Sequence, residues 1–286
     1  MSFRKIFIQK KTLLIAFLVT IVSFAQAQTF TVATYNLRFD NPKDIGNLWK
    51  DRMPYVAALI RYHDFDVVGT QEGRPNQLQD LIKALPQYAR YGKGRDDGSD
   101  KGEHSAIFYK KDKFQLLASG DFWLSETPDK PGLGWDATCC NRICSWVYLQ
   151  DKKTKKKFYF FNVHFDHQGK IARRESSHLM LKKIKEIAKG EPVILTGDFN
   201  SEREEEPYKI LSTSDIIHDS YKDAQHPYEN NTSFNGFKKE FTGNGVIDHV
   251  FITKHWKVHK WGILTDTYFG KFPSDHFPVE VVLELK

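Results

Sequence analysis

Pro192-Val193-Ile194-Leu195-Thr196-Gly197-Asp198-Phe199-Asn200 is an apolar, partly β-branched run that stops on a carboxylate and, two residues later, an amide. Such a run reads as a buried strand, and its Gly-Asp-x-Asn end as the turn that leaves it. The same pattern recurs outward from it in both directions. Residues 30–35 end at Asn36, residues 66–71 at Glu72 and residues 158–163 at His164. Gly245-Val246-Ile247 precedes Asp248, and Phe272-Pro273-Ser274 leads to Asp275-His276. Taken singly these are ordinary strand ends and turns. If the strands belong to two packed sheets that finish at one edge, they gather carboxylates, amides and imidazoles in one place.

Further strands are expected at residues 104–109, 144–149, 246–253 and 279–285, and helices at 48–62, 75–85 and 171–189. In the last of these Leu179, Ile184, Ile187 and Ala188 recur at helical spacing among charged neighbours. Strands interspersed with helices fit an α/β fold of packed sheets covered by helices. No repeat, low-complexity tract or linker divides residues 28–286, so a single domain is expected.

Residues 1–27 differ from the rest. Arg4, Lys5, Lys10 and Lys11 precede an apolar run over 13–24, and Ala25-Gln26-Ala27 closes it. That is the pattern of a secretory signal peptide cut before Gln28, which implies export to a periplasm or the medium. The apolar run is shorter than the ~20 residues that cross a bilayer as a helix. With four of the 42 basic residues and no acidic ones in that segment, the remainder carries 38 basic against 36 acidic groups. A near-neutral remainder is weak support for nucleic-acid binding. The lysines at 152, 153, 155, 156 and 157 fall between two strand-like segments and read as a solvated hairpin tip. Cys139, Cys140 and Cys144 match no zinc pattern. Free, mostly buried thiols are expected, with one local disulfide as the alternative, since a bridge between adjacent residues is strained.

The polar strand ends share a chemistry. A hard divalent cation takes oxygen ligands from one or two carboxylates plus substrate phosphate and water, and Glu72, Asp275 and Asn36 are of the right types. Hydrolysis of a phosphate ester also needs a positioned water and donors for the non-bridging oxygens. His164 and His276 can supply these, each with a carboxylate to fix its tautomer; Asp248 and Glu103 are available.

The ordered set Thr34-Tyr35-Asn36-Leu37-Arg38, Gly69-Thr70-Gln71-Glu72, Asn162-Val163-His164, Thr196-Gly197-Asp198-Phe199-Asn200, Ile247-Asp248-His249 and Ser274-Asp275-His276-Phe277-Pro278 resembles the endonuclease/exonuclease/phosphatase family, in an exported bacterial branch. The resemblance covers nearly all of residues 28–286. It implies a DNase I-like four-layer α/β sandwich, two mostly antiparallel or mixed sheets face to face with helices outside. By position it implies Glu72 as main metal ligand, with Asn36 and Asp275 at the metal or a second metal position, and Mg²⁺ or Mn²⁺ as cofactor. Asp198 would orient and deprotonate water, with Asn200 holding water or phosphate. His164 and His276 would contact the scissile phosphate, His276 paired to Asp248 and His164 to Glu103.

The same branch carries a segment like Phe122-Trp123-Leu124-Ser125-Glu126-Thr127-Pro128, then Gly134-Trp135-Asp136-Ala137 and Arg142. Gly and Pro make this a loop, in which Trp123 and Trp135 are expected as pocket walls and Arg142 as a bidentate phosphate ligand. Arg173 and Arg174 open the following helix, and Arg173 is a further substrate-binding candidate. The expected activity is hydrolysis of small, sugar or inositol-like phosphate esters by a monomeric enzyme, as a monoesterase or diesterase. A DNA or RNA nuclease is the main alternative, and a membrane-lipid sphingomyelinase or a non-catalytic binding protein on the same scaffold are further ones.

Overall fold

The computed structural model describes residues 28–238, 240 and 245–286. The expected signal peptide, residues 1–27, lies outside the described residues. The chain runs β1 (Thr29–Asn36), α1 (Trp49–Tyr62), β2 (Val67–Gly73), α2 (Pro75–Ala84), β3 (Tyr88–Tyr91) and β4 (His104–Lys110). It continues through β5 (Phe114–Trp123), β6 (Ile143–Asp151), β7 (Lys157–His164), α3 (Lys170–Ala188), β8 (Val193–Asp198) and α4 (Glu206–Ser212). The last third holds β9 (His218–Asp219), α5 (Ser220–Asp223), β10 (His226–Tyr228), β11 (Asp248–Ile252), β12 (Trp256–Ile263) and β13 (Val279–Leu285).

Thirteen strands form two mixed sheets, ordered β10-β12-β13-β1-β2-β4-β3 and β5-β6-β7-β8-β11-β9. Strand alternation explains why they stack. Phe30 and Val32 on β1, Phe158 and Phe160 on β7, Ile194 on β8 and Val250 on β11 all belong to one buried cluster between the sheets. The intervening residues face the other way. Ala33 and Tyr35 meet Val56, Ile60 and Leu81 of α1 and α2, while Phe161, Leu195 and Phe251 meet Met180, Ile184 and Leu211 of α3 and α4. The four layers are therefore helix, sheet, sheet, helix, as expected for a DNase I-like sandwich. Each large apolar side chain buried this way contributes about 1.5–3 kcal/mol.

Toward one end the inter-sheet face turns polar. Asn162 Nδ2 donates to Thr70 O at 2.8 Å and Ala106 O at 3.1 Å, and its Oδ1 accepts from Gln71 Nε2 at 2.7 Å and Thr196 Oγ1 at 3.1 Å. This knot ties the sheets across the core. Gly69 faces it, where an added Cβ would collide with Thr196 Oγ1 and Asn162 Oδ1. One residue or two further along the same strands the functional side chains begin.

The three expected helices occur within one residue of their expected bounds at every terminus. The strands β3, β5, β9, β10 and β12 and the short helices α4 and α5 were not legible. β5 is an edge strand with an exposed middle, so it lacks alternation, and β9 and β10 are only two and three residues long. The lysines at 152–156 do form the turn between β6 and β7, as expected. Contrary to expectation, Cys139 and Cys140 are bridged to each other; Cys144 is a buried thiol.

Candidate active site

Sheet register brings three strand ends into one row. His164 on β7 is the partner of Asp198 on β8, and Asp198 is the partner of Asp248 on β11. All three continue the inward-facing set of their strands, past Asn162 and Thr196. Across the gap Asn36 ends β1 and donates Nδ2 to Asp198 Oδ2 at 3.0 Å. The same carboxylate oxygen lies 3.5 Å from His164 Nε2 and 3.7 Å from His276 Nε2. The other Asp198 oxygen accepts from Asn200 N at 2.9 Å, with Asn200 in a left-handed turn at φ 47°. His276 Nδ1 meets Asp248 Oδ2 at 2.8 Å, the pairing expected. Ser274 Oγ donates to Asn36 O at 2.6 Å and so fastens the Asp275-His276 segment to the end of β1.

Glu72 reaches the site by a departure from alternation. Val67, Gly69 and Gln71 face the second sheet, which would leave Glu72 facing the helices. The β2–β4 register shifts between Thr70 and Gly73, and Glu72 takes φ 63°, an irregularity that re-aims its side chain. Its Oε1 accepts from Asn36 Nδ2 at 3.1 Å and its Oε2 from Phe39 N at 3.0 Å. Asp275 is 6% exposed, and Arg38 Nε is 3.7 Å away.

Burial, reinforced by the negative charge of Glu72, pushes the Asp275 carboxyl up to about 6 against the pull of His276 and Arg38. Glu72 and Asp275, with the side-chain amide of Asn36 beside Glu72, are oxygen donors of the kind that suits a hard divalent cation. A second group, Asp198, Asp248 and His276, offers three ligand atoms within 4.8 Å of one another. There Asp248 Oδ2 is taken up by His276, while Asp248 Oδ1 is buried without a hydrogen-bond partner. Burial disfavours charge on His276, but the carboxylates of Asp248 and Asp198 outweigh it and raise the imidazole to about 10. Burial and the charge of Asp248 push Asp198 up to about 7, partly offset by His276. His164 is driven well below its ordinary value by burial and by the nearby Arg142 and Arg95, so it is neutral. The row thus holds one cationic and one neutral imidazole on either side of one carboxylate.

These groups open onto a cleft of about 640 Å³. Glu72, Glu103, Arg142, His164, Asp198, Asn200, Asp275 and His276 line it, and Asn36 and Asp248 lie buried behind. Four expectations need correction. Glu103 pairs with Arg95, at 2.7 and 3.1 Å, in place of His164. Trp123 ends β5, is 7% exposed and donates Nε1 to Arg95 O at 2.7 Å; it buttresses the turn that carries Arg95 and is not among the residues lining the cleft. Trp135 is half-buried on the loop at φ 48° and also lies outside the lining. Arg173 is buried beneath the turn after β7, where Nη1 donates to Asp166 O at 3.1 Å.

The loop itself is docked by a residue whose role was unread. Asp136 accepts from Ile171 N at 3.0 Å and Ala172 N at 2.6 Å, capping α3 from outside its own helix. Among the cleft residues that sequence reasoning missed are Arg95 and His167. Arg95 is hidden in a Gly- and Asp-rich turn, whereas His167 follows the His164 strand end by three residues and was within reach.

A model of the endonuclease/exonuclease/phosphatase family matches residues 33–276. Among solved structures, a mannosyl-6-phosphatase of Bacteroides thetaiotaomicron VPI-5482 is 48% identical with a TM-score of 0.87, over 89% of this chain and 99% of that one. An endonuclease/exonuclease/phosphatase family protein from Bacteroides thetaiotaomicron is 46% identical with a TM-score of 0.89, over 91% and 99%. Among curated proteins, the CCR4-Not complex 3'-5'-exoribonuclease subunit Ccr4 of Saccharomyces cerevisiae is 22% identical over 88% of this chain, but only 38% of that protein is spanned.

Proposed function

The chain belongs to the endonuclease/exonuclease/phosphatase family and is by that membership a phosphoester hydrolase, and from there we propose that it is an exported, Mg²⁺- or Mn²⁺-dependent hydrolase of small, sugar-like phosphate esters. The observation that carries this is the convergence on Asp198: Asn36 at 3.0 Å, His164 at 3.5 Å and His276 at 3.7 Å all address one carboxylate oxygen at the floor of a bounded cleft. The relative that is a mannosyl-6-phosphatase supports a sugar phosphate as substrate, and the near-neutral charge of residues 28–286 agrees with a small ligand.

In this scheme Asp198 orients the attacking water and takes its proton. Asn36 holds the carboxylate in place, and Asn200, which donates Nδ2 to Phe165 O at 3.1 Å, is fixed beside it. His276, kept cationic by Asp248, donates Nε2–H to a phosphoryl oxygen as charge builds there. Neutral His164 offers its Nε2 on the opposite side of Asp198. Glu72 and Asp275, with Asn36, would hold the divalent ion, which supplies Lewis-acid charge to the phosphoryl group when bound.

The relation to Ccr4 supports a nuclease as the second reading. Its signature would be affinity that falls steeply with salt. Asp198→Ala separates chemistry from scaffold: residues 28–286 carrying it should bind phosphate and melt normally while turnover falls at least about 100-fold, the lower range for loss of a general base. Near-wild-type turnover in that variant would refute the assignment.

A further inference from the structure

Beside His164 the cleft wall contains two arginines that are held by carboxylates yet keep unused N–H groups. Arg95 is gripped fork to fork by Glu103, and its Nε, 4.0 Å from Asp96 Oδ1, is buried without a hydrogen-bond partner. Arg142 is 5% exposed; its Nε faces Asp166 Oδ2 at 3.3 Å, its Nη2 meets His167 Nδ1 at 2.7 Å, and its Nη1 is buried and unpartnered. Both arginines line the cleft, as does His167. With Nδ1 accepting from Arg142, His167 carries its proton on Nε2 and is a further donor.

The supports are fixed as well. Asp166 Oδ1 accepts from Gln168 N at 2.9 Å and Gly169 N at 2.6 Å, while Arg95 N donates to Glu103 O at 3.0 Å. A buried N–H with no acceptor is destabilising. Two of them on immobilised cations, side by side in one wall, are a place prepared for oxygens that arrive with the substrate.

We propose that Arg95 and Arg142, with His167, form a subsite for the non-bridging oxygens of a phosphate monoester dianion, so that this enzyme selects a terminal phosphate over a phosphodiester. The inference rests on the phosphoester reading above and names which ester is taken. A monoester brings about −1.5 to −2 charge and three free oxygens at neutral pH. A diester brings one charge and two free oxygens, and its second alkyl group leaves a buried guanidinium N–H unpaired, the kind of mismatch that discriminates strongly. Glu103 and Asp166 are positioning residues that set the angle of the two forks.

The test compares mannose 6-phosphate with its methyl diester in the presence of Mg²⁺, initial loss of each ester being followed by phosphorus NMR so that release of either alcohol from the diester is counted. The wild type should favour the monoester in kcat/KM by at least about 10-fold, and Arg142→Ala should cost the monoester about 10- to 100-fold, compressing that ratio. Arg95→Lys, which keeps the charge but loses the fork, should move the ratio the same way by less. Glu103→Gln should raise KM for the monoester more than it lowers kcat. Because Arg142 is buried and its variant can misfold, inhibition of the wild type by inorganic phosphate and by dimethyl phosphate is measured too. Inorganic phosphate should bind at least about 10-fold more tightly. An unchanged ratio in soluble Arg142→Ala and Arg95→Lys, equal inhibition by the two anions, or a preference for the diester would each overturn the subsite while leaving a phosphoester hydrolase. Turnover of neither ester nor of any other phosphate ester would remove both readings.

Discussion

Replacing Asn162 by Leu should cost this protein about 4 kcal/mol of folding stability. The side chain is fully buried between the sheets and makes four hydrogen bonds, to Thr70 O, Ala106 O, Gln71 Nε2 and Thr196 Oγ1. Leucine is close to the same size, so no large cavity opens and the loss is mainly polar. Its former partners are not wholly stranded: Gln71 Nε2 also reaches Thr34 Oγ1 at 3.0 Å, and the single Thr196 hydroxyl proton has Phe161 O as an alternative acceptor at 3.2 Å. The net value of about 1 kcal/mol per bond is therefore more appropriate than the full penalty for orphaned groups, which gives about 4 kcal/mol for the four. In a chain of this size that corresponds to roughly 8–16 °C in melting midpoint. Urea unfolding followed by tryptophan fluorescence and by circular dichroism gives the number, with coincident transitions as the check on two-state behaviour. A loss under about 1 kcal/mol would refute the claim that this knot holds the two sheets in register below the site.

Asp248→Asn should remove the charge that keeps His276 protonated. The wild type is expected to lose activity on the alkaline side only as pH approaches the His276 value of about 10, and the variant to lose it several units lower; superimposable alkaline limbs would contradict the role given to Asp248. His63 makes a prediction away from the site: its hydrogen bond with Asp266, opposed by burial, raises its pKa above 6.5. The folded state then holds that proton more tightly than the unfolded chain, so the contribution is fully present below pH 6.5 and fades as pH rises through the raised value. His63→Gln should accordingly destabilise the protein at pH 5.5 and make little difference at pH 9, as followed by urea midpoints; equal losses at both would show packing instead of linkage.

The sequence carried the sandwich because period-two alternation and polar strand ends are the same signal. On β1, β7 and β8 the residues that face the second sheet run from phenylalanine or isoleucine through Thr34, Asn162 and Thr196 to Asn36, His164 and Asp198. Reading one strand in this way locates both the core and the site. What broke the pattern was lost to view. Glu72 was found from its motif, but nothing in its spacing announces the irregularity that turns it inward. The partner of Glu103 escapes the sequence reading because Arg95 lies eight residues earlier in a Gly- and Asp-rich turn, whose closure by the antiparallel Gly94–His104 bridge sets Arg95 opposite Glu103 without any apolar alternation to announce the pairing. Trp123 and Trp135 were read as pocket walls from their setting in a Gly- and Pro-rich segment, a cue that does not distinguish a wall from a buttress. The Cys139–Cys140 bridge goes against the sequence expectation of free thiols, which rests on the short segment, the odd count and the strain of an adjacent-residue bridge.

The most direct measurement is hydrolysis by purified residues 28–286 of mannose 6-phosphate, inositol phosphates, RNA, single- and double-stranded DNA and sphingomyelin, each with Mg²⁺, with Mn²⁺ and with chelator, and each beside Asp198→Ala. The account predicts turnover of a small phosphate ester that requires the divalent ion and disappears in the variant, with nucleic acids and lipid untouched. Efficient cleavage of RNA or DNA with sugar phosphates left intact, or turnover indifferent to chelator and to Asp198, would contradict it.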